Sequence, residues 1–370
     1  MGGNHIEGEL GKMVLDISVA YPQHLPEIPE TSDLLHIIDS ARDESLRRQF
    51  FPQDRFELTR SIGRFFGRGP NEELFLLPSA GLAVTSLLEF TAKEVPIVVP
   101  EGNYPLESFG IASSIGLEIH RYGKQQLPEL VKMSESGLVV LVEYPRYEQG
   151  PEQAFHWLPD LVSLDLSKTV FLIDGVNSVY GDVKRVADEN MLRRIAGYYP
   201  PLSRHIMHIE SLSKLLPHGL IEGVAMVSMN RDEKLVDRYR EFVTRTCYDV
   251  PSNPGLWVTH TLLHSKEFAD YHKAVKRVID SNFETVQEGL SPVVIRHDGA
   301  LAWIRTPIEI TRSGESVTNM LDRVGIKARH TGEFTSIEDS YLWIRLPLFR
   351  RHQEIKALVP ELKSRLKQLE

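Results

Sequence analysis

The stretch Ser211-Leu212-Ser213-Lys214 follows directly on a hydrophobic run, residues 205–209, that reads as a buried strand. A lysine in that place can condense with an aldehyde cofactor to give a Schiff base. Alone it would mean little, because an isolated lysine is most often a solvated surface charge. It gains meaning from a second run upstream, Thr169-Val-Phe-Leu-Ile173, which ends in Asp174. A carboxylate at the end of a buried strand needs a partner. The plainer reading is an aspartate that caps the turn at Gly175. Two further stretches stand upstream of these. Pro78-Ser79-Ala80-Gly81 opens an apolar helix, and Glu101-Gly-Asn-Tyr104-Pro105 follows another strand-like run.

Around these stretches, hydrophobic runs alternate with helical patterns. Strands are predicted at 73–77, 95–99, 138–143, 169–173, 205–209 and 224–228, and helices at 82–91, 109–115 and 157–164. Runs of Val, Ile and Leu separated by helices are the pattern of a mostly parallel sheet covered on both faces. Ahead of that block, an apolar piece at 13–17 is followed by Pro22, Pro26 and Pro29. Proline fixes φ and blocks helix, so this segment is expected to be an extended arm. Helices are predicted at 32–50 and 55–66. Beyond Asn230 the character changes to long charged helices, one from about 232 and one over 266–288, then short strands at 293–296, 301–305 and 341–346, and a final helix at 353–368. The expected architecture is α/β: an arm and helix over 1–50, a large α/β/α domain over 51–235, and a smaller α+β domain over 236–370 on which the arm packs.

The composition narrows the function classes. The chain has 370 residues, 42% of them hydrophobic and 25% charged, which is ordinary for a globular protein with a sizeable core. A net charge of -9 argues against a nucleic-acid or anionic-membrane surface. The one cysteine, Cys247, excludes an internal disulfide and a cysteine-based zinc cluster, and no metal is expected. No apolar run approaches the ~20 residues that span a bilayer. No secretion signal is read at the N-terminus, so a cytoplasmic location is expected.

Taken together, the order of elements and motifs resembles the fold-type I, aspartate-aminotransferase superfamily of pyridoxal phosphate (PLP) enzymes, in its class I/II branch. Gly2-Gly3-Asn4 and Leu15-Asp-Ile-Ser18 are similar to the start of histidinol-phosphate aminotransferases and threonine-phosphate decarboxylases. The resemblance covers nearly the whole chain. It implies PLP as cofactor, which needs a lysine for its aldehyde and an acid for its ring nitrogen. Lys214 would form the Schiff base and then move the Cα proton, with its pKa lowered by the cationic cofactor. Asp174 would face the protonated ring nitrogen. Ser79, Ala80 and Gly81, at a helix start, would meet the phosphate through backbone N–H groups and the helix dipole; Ser79 as a plain N-cap is compatible with that role. Ser211 would donate its hydroxyl to the phosphate. Tyr104 would stack on the ring, although an aromatic beside proline is also common in a core. Arg345, in Trp343-Ile-Arg-Leu346, would hold the substrate carboxylate in a bidentate fork, the bland alternative being an edge-strand surface arginine.

The chain also departs from the family pattern. Glu222, eight residues after Lys214, stands where an arginine usually pairs with the phosphate, and a carboxylate there would repel it. His208, His218 and Arg204 are the nearby cations that could substitute. The usual asparagine and tyrosine beside the phenolic oxygen are exchanged, with Tyr147 and Asn177 at those positions; both side chains can donate a hydrogen bond. The resemblance implies a PLP-dependent aminotransferase acting on an L-amino acid. Decarboxylase, lyase, cyclase or oxidase chemistry on the same fold is the alternative, and a non-catalytic paralogue is the third reading. It also implies a homodimer with the active site at the subunit interface, where Phe51 would approach the partner's cofactor.

Overall fold

The computed structural model describes residues 14–18, 26–91, 95–100, 116–117, 119–122, 127–143, 163–165, 167–176, 206–216, 220–221, 224–230, 233–246, 251–293, 295–309, 317–330 and 341–369. Strand β1 (Leu15–Asp16) is followed by helices α1 (Glu30–Arg47) and α2 (Pro52–Phe65). Pro52 sits at the first position of α2, where its missing N–H is no loss, and the Asp54 carboxylate accepts the Phe51 N–H at 2.6 Å. Then come β2 (Glu72–Leu77), α3 (Ala80–Thr91), β3 (Ile97–Pro100), β4 (Ile119–Tyr122), α4 (Leu127–Ser134), β5 (Leu138–Glu143), β6 (Thr169–Asp174), β7 (Ile206–Ser211) and β8 (Ala225–Asn230).

The strands among these, six or four residues long, build one seven-stranded sheet in the order β2-β8-β7-β6-β5-β3-β4. All neighbours in the run from β7 to β4 are parallel, while β8 runs antiparallel to both β7 and β2. Side chains alternate across the sheet. Leu77, Leu172, Met207, Ile209, Ala225 and Val227 point to the face covered by Ala83, Val84 and Leu87 of α3. Leu76 and Met226 point to the opposite face and join a second core with Leu58 and Ile62 of α2.

Helix α5 (Glu233–Arg245) returns to the α3 side, where Val236 and Tyr239 are buried in the same core. The buried Tyr239 hydroxyl meets Ser86 Oγ at 2.7 Å. A division after residue 235 would cut through this helix. Helices α6 (Asn253–Leu263) and α7 (Lys266–Leu290) follow, each capped by a serine, Ser252 and Ser265, that accepts a backbone N–H. The C-terminal part contains β9 (Ile295–Asp298), β10 (Leu301–Glu309), α8 (Val317–Arg323), β11 (Ile326–Lys327), β12 (Tyr341–Pro347) and α9 (His352–Leu366). Strands β12, β10 and β9 form an antiparallel sheet. Its inner face, Ala302, Ile304, Leu342, Ile344 and Leu346, packs with residues of α7 and α9. Strand β1 pairs in parallel with β11, so the N-terminal arm is tied to this smaller unit.

The alternating pattern and the mostly parallel sheet agree with the sequence. Five elements were not anticipated: β4, α4, α6, α8 and β11. The helices expected at 109–115 and over most of 157–164 lie outside the described residues.

Candidate active site

The site is built where strands β6 and β7 end and helix α3 begins. Asp174 is the last residue of β6 and stands in register with Ile209. It has the parity of Leu172, so its side chain is on the α3 face of the sheet. Asp174 is 5% exposed. Burial pushes its carboxyl up to about 6, against the opposing pull of the Val176 N–H and the charge of Lys214. The Val176 N–H donates to Oδ1 at 3.0 Å. The aspartate therefore does cap its own turn, and it also sits where burial penalises its charge unless a cation faces it.

Helix α3 starts beside the end of β2. Ser79 is its N-cap: Oγ accepts the Leu82 N–H at 3.2 Å and the Ser79 carbonyl accepts the Ala83 N–H at 3.0 Å. Among the described residues, a Cβ added to Gly81 would meet nothing within 4 Å, and Gly81 itself is exposed, so the first turn is open. Backbone donors at a helix start beside open space make an anion site.

The lysine stretch is a tight turn. Ser211 Oγ accepts the Ser213 N–H at 3.1 Å and lies 3.1 Å from Ser213 Oγ. The Leu212 N–H donates to Val224 O at 3.1 Å, and the Leu215 N–H to Leu212 O at 2.9 Å. Leu212, Leu215 and Leu216 are buried and pin the turn to the core, while Lys214 between them is only partly buried. Its charge acts on Asp174. The structure thus brings Lys214 and Asp174 within electrostatic reach, with Ser211 organising the turn.

On the opposite face of the same strand ends lies a feature with no signal in the sequence. Glu210 alternates with Ile209 and Ser211, and its carboxylate meets Arg68 Nη2 at 2.5 Å. Both side chains are buried, at 1% and 0% exposure. Arg68 is set by Gly67, whose φ of +72° is the left-handed region that glycine adopts without a Cβ clash. Its N–H caps α2 through Gly63 O at 2.9 Å. Arg68 Nη1 is also 3.7 Å from Glu72, whose other oxygen accepts the Gly69 N–H at 2.7 Å.

Arg345 is in β12, opposite Trp303 of β10. It is buried, and its Nη2 donates to the Ser18 carbonyl of the arm at 3.0 Å. The arm is held further by Arg350, which donates to Asp16 O at 2.6 Å. His208 has the parity of Glu210 on β7, opposite to that of Ile209. Tyr104, Tyr147, Asn177, Arg204, His218 and Glu222 lie outside the described residues. Among the described residues no group of three or more His, Cys, Asp or Glu side chains could hold a metal ion, and no helix is long and apolar enough to cross a membrane.

The residues present fit an aromatic, anionic aldehyde cofactor on three observations. A buried carboxylate with a raised pKa would be relieved by a ring cation. Among the described residues, the first turn of α3 is open. An amine stands on the neighbouring turn, within electrostatic reach of the carboxylate.

No protein-family model matches the sequence, and no curated protein matches it. Solved structures do resemble it in fold. The histidinol-phosphate aminotransferase from Clostridium acetobutylicum superposes with a TM-score of 0.66 at 15% identity, over 96% of this chain and 100% of that one. The aromatic aminotransferase from Pyrococcus horikoshii OT3 gives 0.68 at 12% identity, over 96% of each chain. MppP, in a structure soaked with the product 2-ketoarginine, gives 0.67 at 15% identity, over 95% of this chain and 100% of that one. At these identities the likeness shows the fold alone, one that this chain shares with these aminotransferase structures.

Proposed function

We propose that the protein is a PLP-dependent enzyme of aminotransferase type acting on an L-amino acid. The observation that carries the reading is Asp174, a buried carboxylate at the end of β6 whose pKa is raised to about 6 and which is influenced by Lys214. When bound, PLP supplies an electron sink for negative charge at the substrate Cα. The protein's own groups divide the remaining work. Asp174, ionised, would hold a proton on the ring nitrogen. The start of α3 would receive the phosphate through its N–H groups. Lys214 would hold the aldehyde covalently and, once released, carry the Cα proton between atoms on one face of the substrate. Arg345, oriented by the Ser18 carbonyl, would receive the carboxylate. An arginine so placed ties substrate binding to the docked arm.

The reading includes a homodimer. Supporting it, Leu46, Phe51 and Phe56 are exposed by 80%, 48% and 57% around the α1–α2 junction, more apolar surface than a lone helix pair should present to water. Sedimentation at micromolar concentration should give a dimer, and a fully active monomer would remove this part.

The reaction itself is tested by product analysis over a panel of L-amino acids, with and without a 2-oxo acid. Transamination requires the acceptor and yields a new amino acid from it. Release of CO2 or ammonia without any acceptor would replace the transaminase reading with a decarboxylase or lyase.

A further inference from the structure

Beneath the candidate site, the buried pair of Arg68 and Glu210 touches the turn that carries Asp174. The Gly175 N–H donates to Ile209 O at 2.8 Å, tying the turn to β7. A Cβ on Gly175 would come within 3.0 Å of Glu210 Oε2 and 3.1 Å of Oε1. The Glu210 carboxylate is therefore in contact with the backbone between Asp174 and Val176, the residue whose N–H holds Asp174. A charge at that distance acts through protein rather than through water, since both partners are essentially inaccessible.

We propose that Arg68 and Glu210 are a positioning pair for Asp174. Glu210 supports the Asp174–Val176 turn from the opposite face of the sheet, and Arg68 cancels its charge, so that Asp174 ionises against the cofactor and not against a second buried carboxylate. The proposal rests on the PLP reading and deepens it. Neither residue touches the cofactor face, so both act through Asp174. The arrangement also accounts for Gly175, the residue type that leaves room for the carboxylate, and for Gly67, which turns the chain so that Arg68 enters the core.

The test uses Arg68→Met, Glu210→Gln and the double variant, each loaded with PLP. The readout is the pH midpoint of the visible absorption change of the bound cofactor, together with PLP affinity and the melting temperature of the cofactor-free protein. Arg68→Met leaves a negative charge under the site and should raise the midpoint. Glu210→Gln removes a negative charge, leaving Arg68 with Glu72 at 3.7 Å, and should lower it. Each shift should be about half a pH unit or more, and the double variant should return near the wild-type value. A part that only packed the fold would lower the melting temperature without moving the midpoint in opposite directions. If Arg68→Met does not fold, the near-isosteric Glu210→Gln still decides, because its downward shift is required. Midpoints equal to wild type, or shifted in one direction by both single variants, overturn the proposal while leaving the cofactor reading intact. A wild-type protein that takes up no PLP overturns the cofactor reading and this role with it.

Discussion

Asp174 and Glu210 stand at the ends of adjacent strands, on opposite faces of one sheet, and both are buried carboxylates. Glu210 has an arginine at 2.5 Å. Asp174 has a backbone N–H and a more distant lysine, and burial raises its pKa to about 6. Among the described residues, the carboxylate on one face has an arginine in direct contact, and the one on the other face has a backbone N–H and the charge of Lys214. Burying an ionised group without a partner is expensive. The proposed cofactor would supply Asp174 with a ring cation on that face. The contrast separates a structural ion pair from a binding carboxylate more sharply than burial alone.

The comparison can be broken first at the paired side. Arg68→Met removes the cation from a fully buried pair and should cost about 3–5 kcal/mol of stability in the cofactor-free protein. Urea unfolding measures it, and a loss under about 1 kcal/mol, the range of an exposed pair, would show that Glu210 is not buried with its charge.

At Asp174 the sign is reversed. The folded pKa of Asp174 lies above its ordinary value of 3.8. The folded state then binds the proton more tightly than the unfolded chain, so the cofactor-free protein loses stability as pH rises from about 4 to 6. Asp174→Asn removes that loss and should stabilise the cofactor-free protein at pH 7 by about 2–3 kcal/mol. The same variant should weaken PLP binding by about 10- to 150-fold, because a hydrogen bond to a charged group is lost. Gain of stability with loss of affinity is the signature to seek in thermal melts and in a PLP titration. An Asn variant that is less stable at pH 7 would place Asp174 among the structural pairs.

Gly175→Ala probes the contact between the two sides. Its Cβ would press on a carboxylate held by Arg68, and overpacking of this kind costs about 1–3 kcal/mol. The smallest effect expected is at the α3 start, where Ser79→Ala should cost about 1 kcal/mol through the lost cap. Both changes are readable as shifts of the urea midpoint at constant slope. A neutral Gly175→Ala would mean that Glu210 can move away from the turn.

Much of this was legible in the sequence because it depends on local pattern. Thr169–Asp174 is a largely buried run ending in an acid, and the Lys214 turn follows a second, fully buried run. The ion pair was not legible. Arg68 and Glu210 are 142 residues apart, and each reads as one more surface charge until the sheet brings them together. Helix α6 was hidden for a different reason: Asn253-Pro254-Gly255 looks like a breaker, whereas Pro254 occupies the favoured first turn behind the Ser252 cap. Strand β4, Ile119-His-Arg-Tyr122, is at the sheet edge and carries polar residues that a buried strand would not. Pairing of the arm with β11 depends on a partner more than 300 residues away, at Ile326, which no local pattern announces.

The most direct test of the account is to locate the cofactor bond. The purified protein loaded with PLP is reduced with borohydride, digested and analysed by mass spectrometry. The account predicts a single pyridoxyl adduct on the peptide containing Lys214, lost in Lys214→Ala while that variant keeps its melting temperature. An adduct on another lysine, or none in protein that remains folded, would contradict it.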